Sequence, residues 1–244
     1  MLEDDSKAEQ STAPSAARKV LRAVAAIVTA CVLCLVLVGV SFHIVLNFGI
    51  SHAIAEQTVD TVNGHVGHDR LVEVADLTLA YVRGDAGVEL PRGTDFRTAY
   101  DAETISHLDD VTVFIAHIRN TTLVCFPLLI ALVAGIWWGE RKATGGRRRV
   151  LACALVLGGA LPILLVSAIG IGCAIDFYAT FNFLHGFFFA ADSWYFPIDS
   201  LLICSLPEAY WEGMGVVLLG SLAAMSLACL IVGIVLLRRA RISS

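Results

Sequence analysis

An all-α integral membrane protein, with four transmembrane helices and a small, mainly helical extracellular cap, is the fold class this chain predicts. Three observations lead there. Four apolar runs are long enough to cross a bilayer, basic residues gather at alternate ends of those runs, and two polar inserts separate them. Hydrophobic residues fill 57% of the 244 positions, above the ~45–50% apolar share of an ordinary soluble domain.

The runs cover about Val20–Phe48, Val111–Gly139, Val150–Ile175 and Met214–Leu237. Each exceeds the ~20 residues that span a ~30 Å hydrocarbon core. At that depth a helix is the one open structure that satisfies its own backbone, so each run predicts one span. The first run is too long for a signal peptide, lacks a small-residue cleavage pattern and ends in Phe48-Gly49-Ile50.

Basic residues set the orientation. Arg18, Lys19 and Arg22 precede the first run, and Arg141, Lys142, Arg147, Arg148 and Arg149 separate the second from the third. Arg238, Arg239 and Arg241 follow the fourth. The positive-inside rule places all three clusters, and both termini, in the cytoplasm. Residues 50–110 and 176–213 are then expected outside as a cap. The net charge of −5 comes largely from that face, and residues 176–213 contain no Lys or Arg. Of the seven cysteines, only Cys204 is clearly in an outer segment, so no disulfide framework is expected. Cys31 and Cys34 have redox spacing, but amid leucine and valine they read as apolar packing.

Residues 1–17 are polar and read as a disordered cytoplasmic tail. In the first outer segment Leu71, Val74, Ala75, Thr78 and Val82 recur at three- and four-residue spacing, which predicts an amphipathic helix over 67–82. Gly84-Asp85 breaks it, and Pro91-Arg92-Gly93 fits a small hairpin or loop. A helix reopens near Glu103 and runs without interruption into the second span, about 55 Å at ~1.5 Å per residue, so its first turns project outside. Beyond Asp176, the stripe Phe177, Phe181, Leu184 and Phe188 continues a helical pattern that places His185 just above the membrane or on a re-entrant segment.

Two histidines, His107 and His185, therefore sit at one depth beside different spans. Imidazole, with an unperturbed pKa near ~6.5, exchanges protons at neutral pH. Asp110 lies one turn from His107 and is placed to fix the tautomer of that ring. Taken singly, either histidine is also explained as an interfacial residue satisfied by water or carbonyls. The aromatics from Phe177 to Trp211 include an interfacial belt, yet their density exceeds what a belt requires. Asp192, Asp199 and Glu208 lie among them, and carboxylates at a membrane edge are functional candidates.

Other polar signals carry less. His65, His68 and Asp69 allow a metal site, but two histidines without a further ligand cluster fit a solvated helix start. Asp109 reads as solvated. Arg119, inside the second span, needs an outward reach or an anionic partner. No phosphate loop, nucleophile elbow or zinc-peptidase pattern occurs.

Two segments carry a family resemblance. Ser106-His107-Leu108-Asp109-Asp110-Val111 resembles a His-Leu/Met-x-Asp-Val signature. Leu184-His185-x-x-Phe188-Phe189, followed by Asp192, Trp194, Asp199, Pro207-Glu208 and Trp211, resembles a second signature of the same family. With four spans and an outer cap, the chain from about Arg18 to Arg241 is similar to the bacterial lipoprotein intramolecular transacylases.

That resemblance implies acyl transfer within a diacylglyceryl-modified lipoprotein, from the sn-2 ester to the α-amino group of the N-terminal cysteine, at the outer face of the cytoplasmic membrane. It maps the two catalytic histidines onto His107 and His185. Asp110, Phe188, Phe189, Asp192, Trp194, Asp199 and Trp211 are then expected to bind or orient the substrate. Ester-to-amide conversion is downhill, so no cofactor, ATP or metal is expected, and the partners are the diacylated lipoprotein and membrane lipids rather than nucleic acid. A lipid hydrolase, an intermolecular acyltransferase, and a non-enzymatic membrane sensor or assembly protein remain the alternatives.

Overall fold

The computed structural model describes residues 13–139, 144–190 and 193–242. Among them are eight α-helices and no extended strand. They are α1 (Ala13–Val45), α2 (Phe48–Thr58), α3 (His68–Val82), α4 (Ala102–Gly139), α5 (Thr144–Ile175), α6 (Phe177–Phe188), α7 (Leu201–Ser205) and α8 (Glu208–Ile242). Four of them, α1, α4, α5 and α8, are long and apolar enough to cross a membrane. At 38 residues α4 is about 57 Å long, well beyond a ~30 Å hydrocarbon core.

The chain divides into two compact units. The first comprises Met1–Leu37, Leu123–Leu164 and Ala223–Ser244. Here glycines set the helix packing. A Cβ added to Gly158 would meet Leu33 of α1 at 2.8 Å and the Ala30 carbonyl at 3.1 Å. One added to Gly159 would meet the Ser226 carbonyl of α8 at 2.6 Å. Adjacent glycines thus admit two different neighbours, the small-residue packing that apolar helices use where lipid offers no hydrophobic contrast. Arg147 lays its guanidinium over the Trp137 ring, 3.9 Å from the centroid.

The second unit comprises Val38–Thr122 and Leu165–Leu222. Its core gathers Leu71, Val74 and Ala75 of α3 with Tyr100, Leu201, Cys204 and Tyr210. Buried hydroxyls pair inside it. Tyr100 meets Thr78 at 2.8 Å, and Tyr210 meets Ser51 at 2.6 Å. Burial pushes the Tyr100 hydroxyl up to about 12, so it remains neutral.

Several local outcomes differ from the expectations above. The first apolar run forms one span, which ends at Val45, three residues short of Phe48. Asn47 accepts a hydrogen bond from the Gly49 amide at 3.0 Å and starts α2, so Phe48 opens a new helix. Helix α1 begins at Ala13, inside the stretch expected as a tail; residues 1–12 lie outside the described residues. The segment around Pro91-Arg92-Gly93 takes the second of the two forms expected, a loop, with a parallel bridge from Arg92 to Tyr100. Gly84, at φ 76°, ends α3 as its position implied.

Gly159→Ala should lower the thermal midpoint of the purified protein, because the clashing atom is a backbone carbonyl and overpacking costs ~1–3 kcal/mol. Gly135, with nothing within 4 Å of its would-be Cβ, is the matched control, and Gly135→Ala should not lower it. Thermal unfolding in detergent reads both.

Candidate active site

Helix α4 carries His107, α6 carries His185, and Phe189 just after α6 touches both. The Phe189 ring lies 5.4 Å from the His107 centroid and 5.5 Å from that of His185. Asp176 makes this possible. Its backbone is extended and its side chain accepts from the Ala179 amide at 2.8 Å, ending the long α5 and starting α6. Gly172 of α5 lets the new helix come close, since a Cβ there would meet Thr180 at 2.8 Å.

The two imidazoles have different surroundings. Nδ1 of His185 donates to the Phe181 carbonyl one turn back, at 3.0 Å. A carbonyl only accepts, so this bond fixes the proton on Nδ1 and leaves the Nε2 lone pair free. The ring stacks on Phe181 at 3.8 Å and faces Trp194 at 5.9 Å. Burial pushes the His185 imidazole below its ordinary value, partly opposed by the Phe181 bond, so neutral His185 is the form present at pH 7. His107 is 8% exposed and lies against Phe189 and Phe196, and its Nδ1 has no hydrogen-bond partner among the described residues. Phe114 backs the pair, 4.8 Å from Phe188 and 5.8 Å from Phe189. The arrangement therefore offers two imidazoles amid phenyl rings, with a free Nε2 lone pair on neutral His185.

A family model for the lipoprotein intramolecular transacylase Lit matches residues 25–211. The chain belongs to that family. It is an acyltransferase and a membrane protein. Its fold is similar to that of the membrane-integral Lit from Bacillus cereus, with a TM-score of 0.69 at 16% sequence identity, over 92% of this chain and 99% of that one. Bacillus cereus Lit with a histidine-to-arginine mutation matches at TM-score 0.61 and 17% identity, over 93% and 96% of the two chains. The corresponding histidine-to-alanine structure matches at 0.64 and 16%, over 92% and 97%. No functionally curated protein gives a significant sequence match.

Within this Lit-family chain the residues singled out by sequence have separate fates. His107, His185, Phe188, Phe189 and Trp194 come together. Trp194 is held by its indole N–H, which donates to Asn182 at 3.1 Å. Trp211 packs on Phe181 at 6.0 Å, one ring removed from His185. Asp110 does not fix the His107 tautomer through Nδ1, which is unpaired. Asp199 does not reach the histidines as an orienting group. It accepts from Arg97 at 2.7 Å and faces His65 at 3.6 Å, and the Arg97 bond holds its carboxyl below the usual range. Asp192 lies outside the described residues.

Asp109 is not simply solvated, because it accepts from the Tyr81 hydroxyl. His65 and His68 have separate partners, the latter reaching the Glu56 carbonyl at 3.1 Å. Arg119 donates to the Arg83 carbonyl at 2.9 Å. Phe114 and Asn182 were missed by sequence reading. Asn182 shares a helix face with His185, three residues on, and that spacing is a usable signal.

Histidine-selective nitrogen NMR should show His185 as the Nδ1–H tautomer at pH 7, with a titration midpoint below the free value of about 6.5. Burial disfavours the imidazolium, so protonation needs a lower pH. A midpoint above the free value contradicts the environment described.

Proposed function

We propose that this protein moves the sn-2 acyl group of a diacylglyceryl-modified lipoprotein onto the α-amino group of its N-terminal cysteine, giving the lyso form. The observation that carries this reading is the meeting of His107 and His185 on one phenyl ring. Both reacting groups belong to one substrate, so the contribution asked of the protein is to hold amine and ester in contact and move a proton between them.

The tautomer supports a division of labour. His185 Nε2 is the free lone pair and serves as base. The α-amino group has a pKa of ~7.7–8.0, so a useful fraction is unprotonated near neutrality and attacks the ester carbonyl. As the carbon–nitrogen bond forms, His185 takes the extra proton from nitrogen. His107 donates a hydrogen bond to the carbonyl oxygen as it becomes anionic. When the bond to the sn-2 oxygen breaks, His185 returns the proton to that oxygen. The reaction is a balanced isomerisation, and Phe188, Phe189 and Trp194 keep out the water that would hydrolyse the ester.

The basic clusters at Arg18 to Arg22, Arg147 to Arg149 and Arg238 to Arg241 support cytoplasmic termini and a site on the outer face of the bacterial cytoplasmic membrane. The partners in this reading are the diacylated lipoprotein and the surrounding lipid.

His107→Ala and His185→Ala should each lower N-acylation by roughly 10²–10⁴-fold while the protein still folds and inserts. Substrate and product have equal mass, so fragment spectra of the lipopeptide N-terminus must locate the acyl group. Full N-acylation by either variant refutes the two-histidine reading. Released fatty acid in place of transfer identifies a hydrolase.

A further inference from the structure

His107 and Phe114 lie seven residues apart on α4, two turns and about 10.5 Å along one helix face. The Phe114 ring meets Phe188 at 4.8 Å and 52°, and Phe189 at 5.8 Å and 63°. Phe189 in turn touches both imidazoles. One face of α4 therefore supports the end of α6 twice, through His107 itself and through Phe114.

The end of α6 depends on that support. Phe189 has left the helix, with φ −122° and ψ 160°, and its amide donates to the His185 carbonyl at 2.8 Å. That bond fixes the amide and not the ring, whose position is set by what it packs against. Phe114 has a second neighbour of its own. Phe42 of α1 meets it edge-on at 6.1 Å and 75°. Gly39, one turn earlier on the same face of α1, admits the approach, since a Cβ there would collide with Thr122 of α4. Phe114 is thus in ring contact with α1 as well as α6.

Two acceptors compete for an acyl group at such a site. In transfer, a carbon–nitrogen bond replaces the sn-2 carbon–oxygen bond, and the amine proton ends on the glycerol oxygen. In hydrolysis, water gives its hydroxyl to the acyl carbon and its other proton to that same oxygen, and a fatty acid leaves. Both routes use a base, so the imidazoles alone do not choose between them. Room for water does. A displaced phenyl ring leaves space for a molecule whose share of liquid volume is ~30 Å³, beside imidazoles and an ester that can bond it.

We infer that Phe114, braced by Phe42, is a positioning residue. Through Phe188 and Phe189 it keeps the space between His107 and His185 closed to water, and so selects the amine over water as acyl acceptor. This deepens the proposed function and rests on its acyl transfer.

The test uses the full chain in detergent micelles with a synthetic diacyl lipopeptide. Two products are counted: N-acyl lyso lipopeptide, by fragment spectra, and free fatty acid. Phe114→Ala should raise the ratio of fatty acid to N-acyl product on the order of tenfold. Phe114→Leu, which keeps an apolar side chain, should raise it less. Phe183→Ala removes a ring of α6 that is 73% exposed and should leave the ratio at the parent value. Both products come from the same active molecules, so a residue that only stabilised the fold would lower them together. An unchanged ratio in Phe114→Ala overturns the inference. Where that variant fails to fold, Phe42→Ala decides, and an unchanged ratio there overturns it equally. A parent that forms no N-acyl product overturns the proposed function, and this inference with it.

Discussion

One carboxylate at the end of an apolar helix determines where the second histidine goes. Without Asp176, the pattern of α5 runs on through Phe177, Phe181 and Phe188, and the imidazole of His185 is carried along the same axis. By accepting from the Ala179 amide, Asp176 satisfies one of the orphan donors of a new helix start. The chain therefore restarts as α6. The absence of a Cβ at Gly172 lets Thr180 close against α5. Phe189 then falls between His185 and His107, and Trp194 returns to face the His185 ring, tied by Asn182.

The distribution of apolar residues made most of this architecture legible in the sequence, because length and periodicity are properties of a segment alone. The four long helices and the amphipathic α3 are of that kind. The two histidines stood out because a polar residue in apolar surroundings creates contrast. Phe114 could not, since a phenyl ring on an apolar helix has no contrast, and only its contacts with Phe188 and Phe189 give it meaning. The start of α2 was hidden for a different reason. It depends on one side-chain bond from Asn47, which does not alter the hydropathy of the run.

The carboxylates show the limit of reading by neighbourhood. Asp199 lies among aromatics in the chain, but its partner Arg97 is 102 positions away, and that pairing removes it from the site. Asp110 shares a helix face with His107, yet a shared face fixes only where Cβ atoms point. The ring of His107 turns toward Phe189 and Phe196 instead. Among the described residues no carboxylate bonds to Nδ1 of His107 or His185. The consequence is chemical: an adjacent carboxylate favours imidazolium, whereas phenyl surroundings favour the neutral ring that a base must be.

The seven histidines supply an internal comparison. His43, His117 and His185 each bond through Nδ1 to the carbonyl four residues back on their own helix. His52, His65 and His68 have carboxylate or carbonyl partners. His107 is also helical and has the same local option, but its Nδ1 is buried and unpaired. A buried polar atom in that condition costs ~1–3 kcal/mol, and packing alone gives no return for it. A ring nitrogen held in place and without a local partner is suited to an oxygen that gains charge during reaction, since no existing bond must first be broken. The two imidazoles thus differ in kind. His185 has its proton assigned by the fold, whereas His107 keeps an Nδ1 without a partner among the described residues, which the proposed reaction assigns to the substrate.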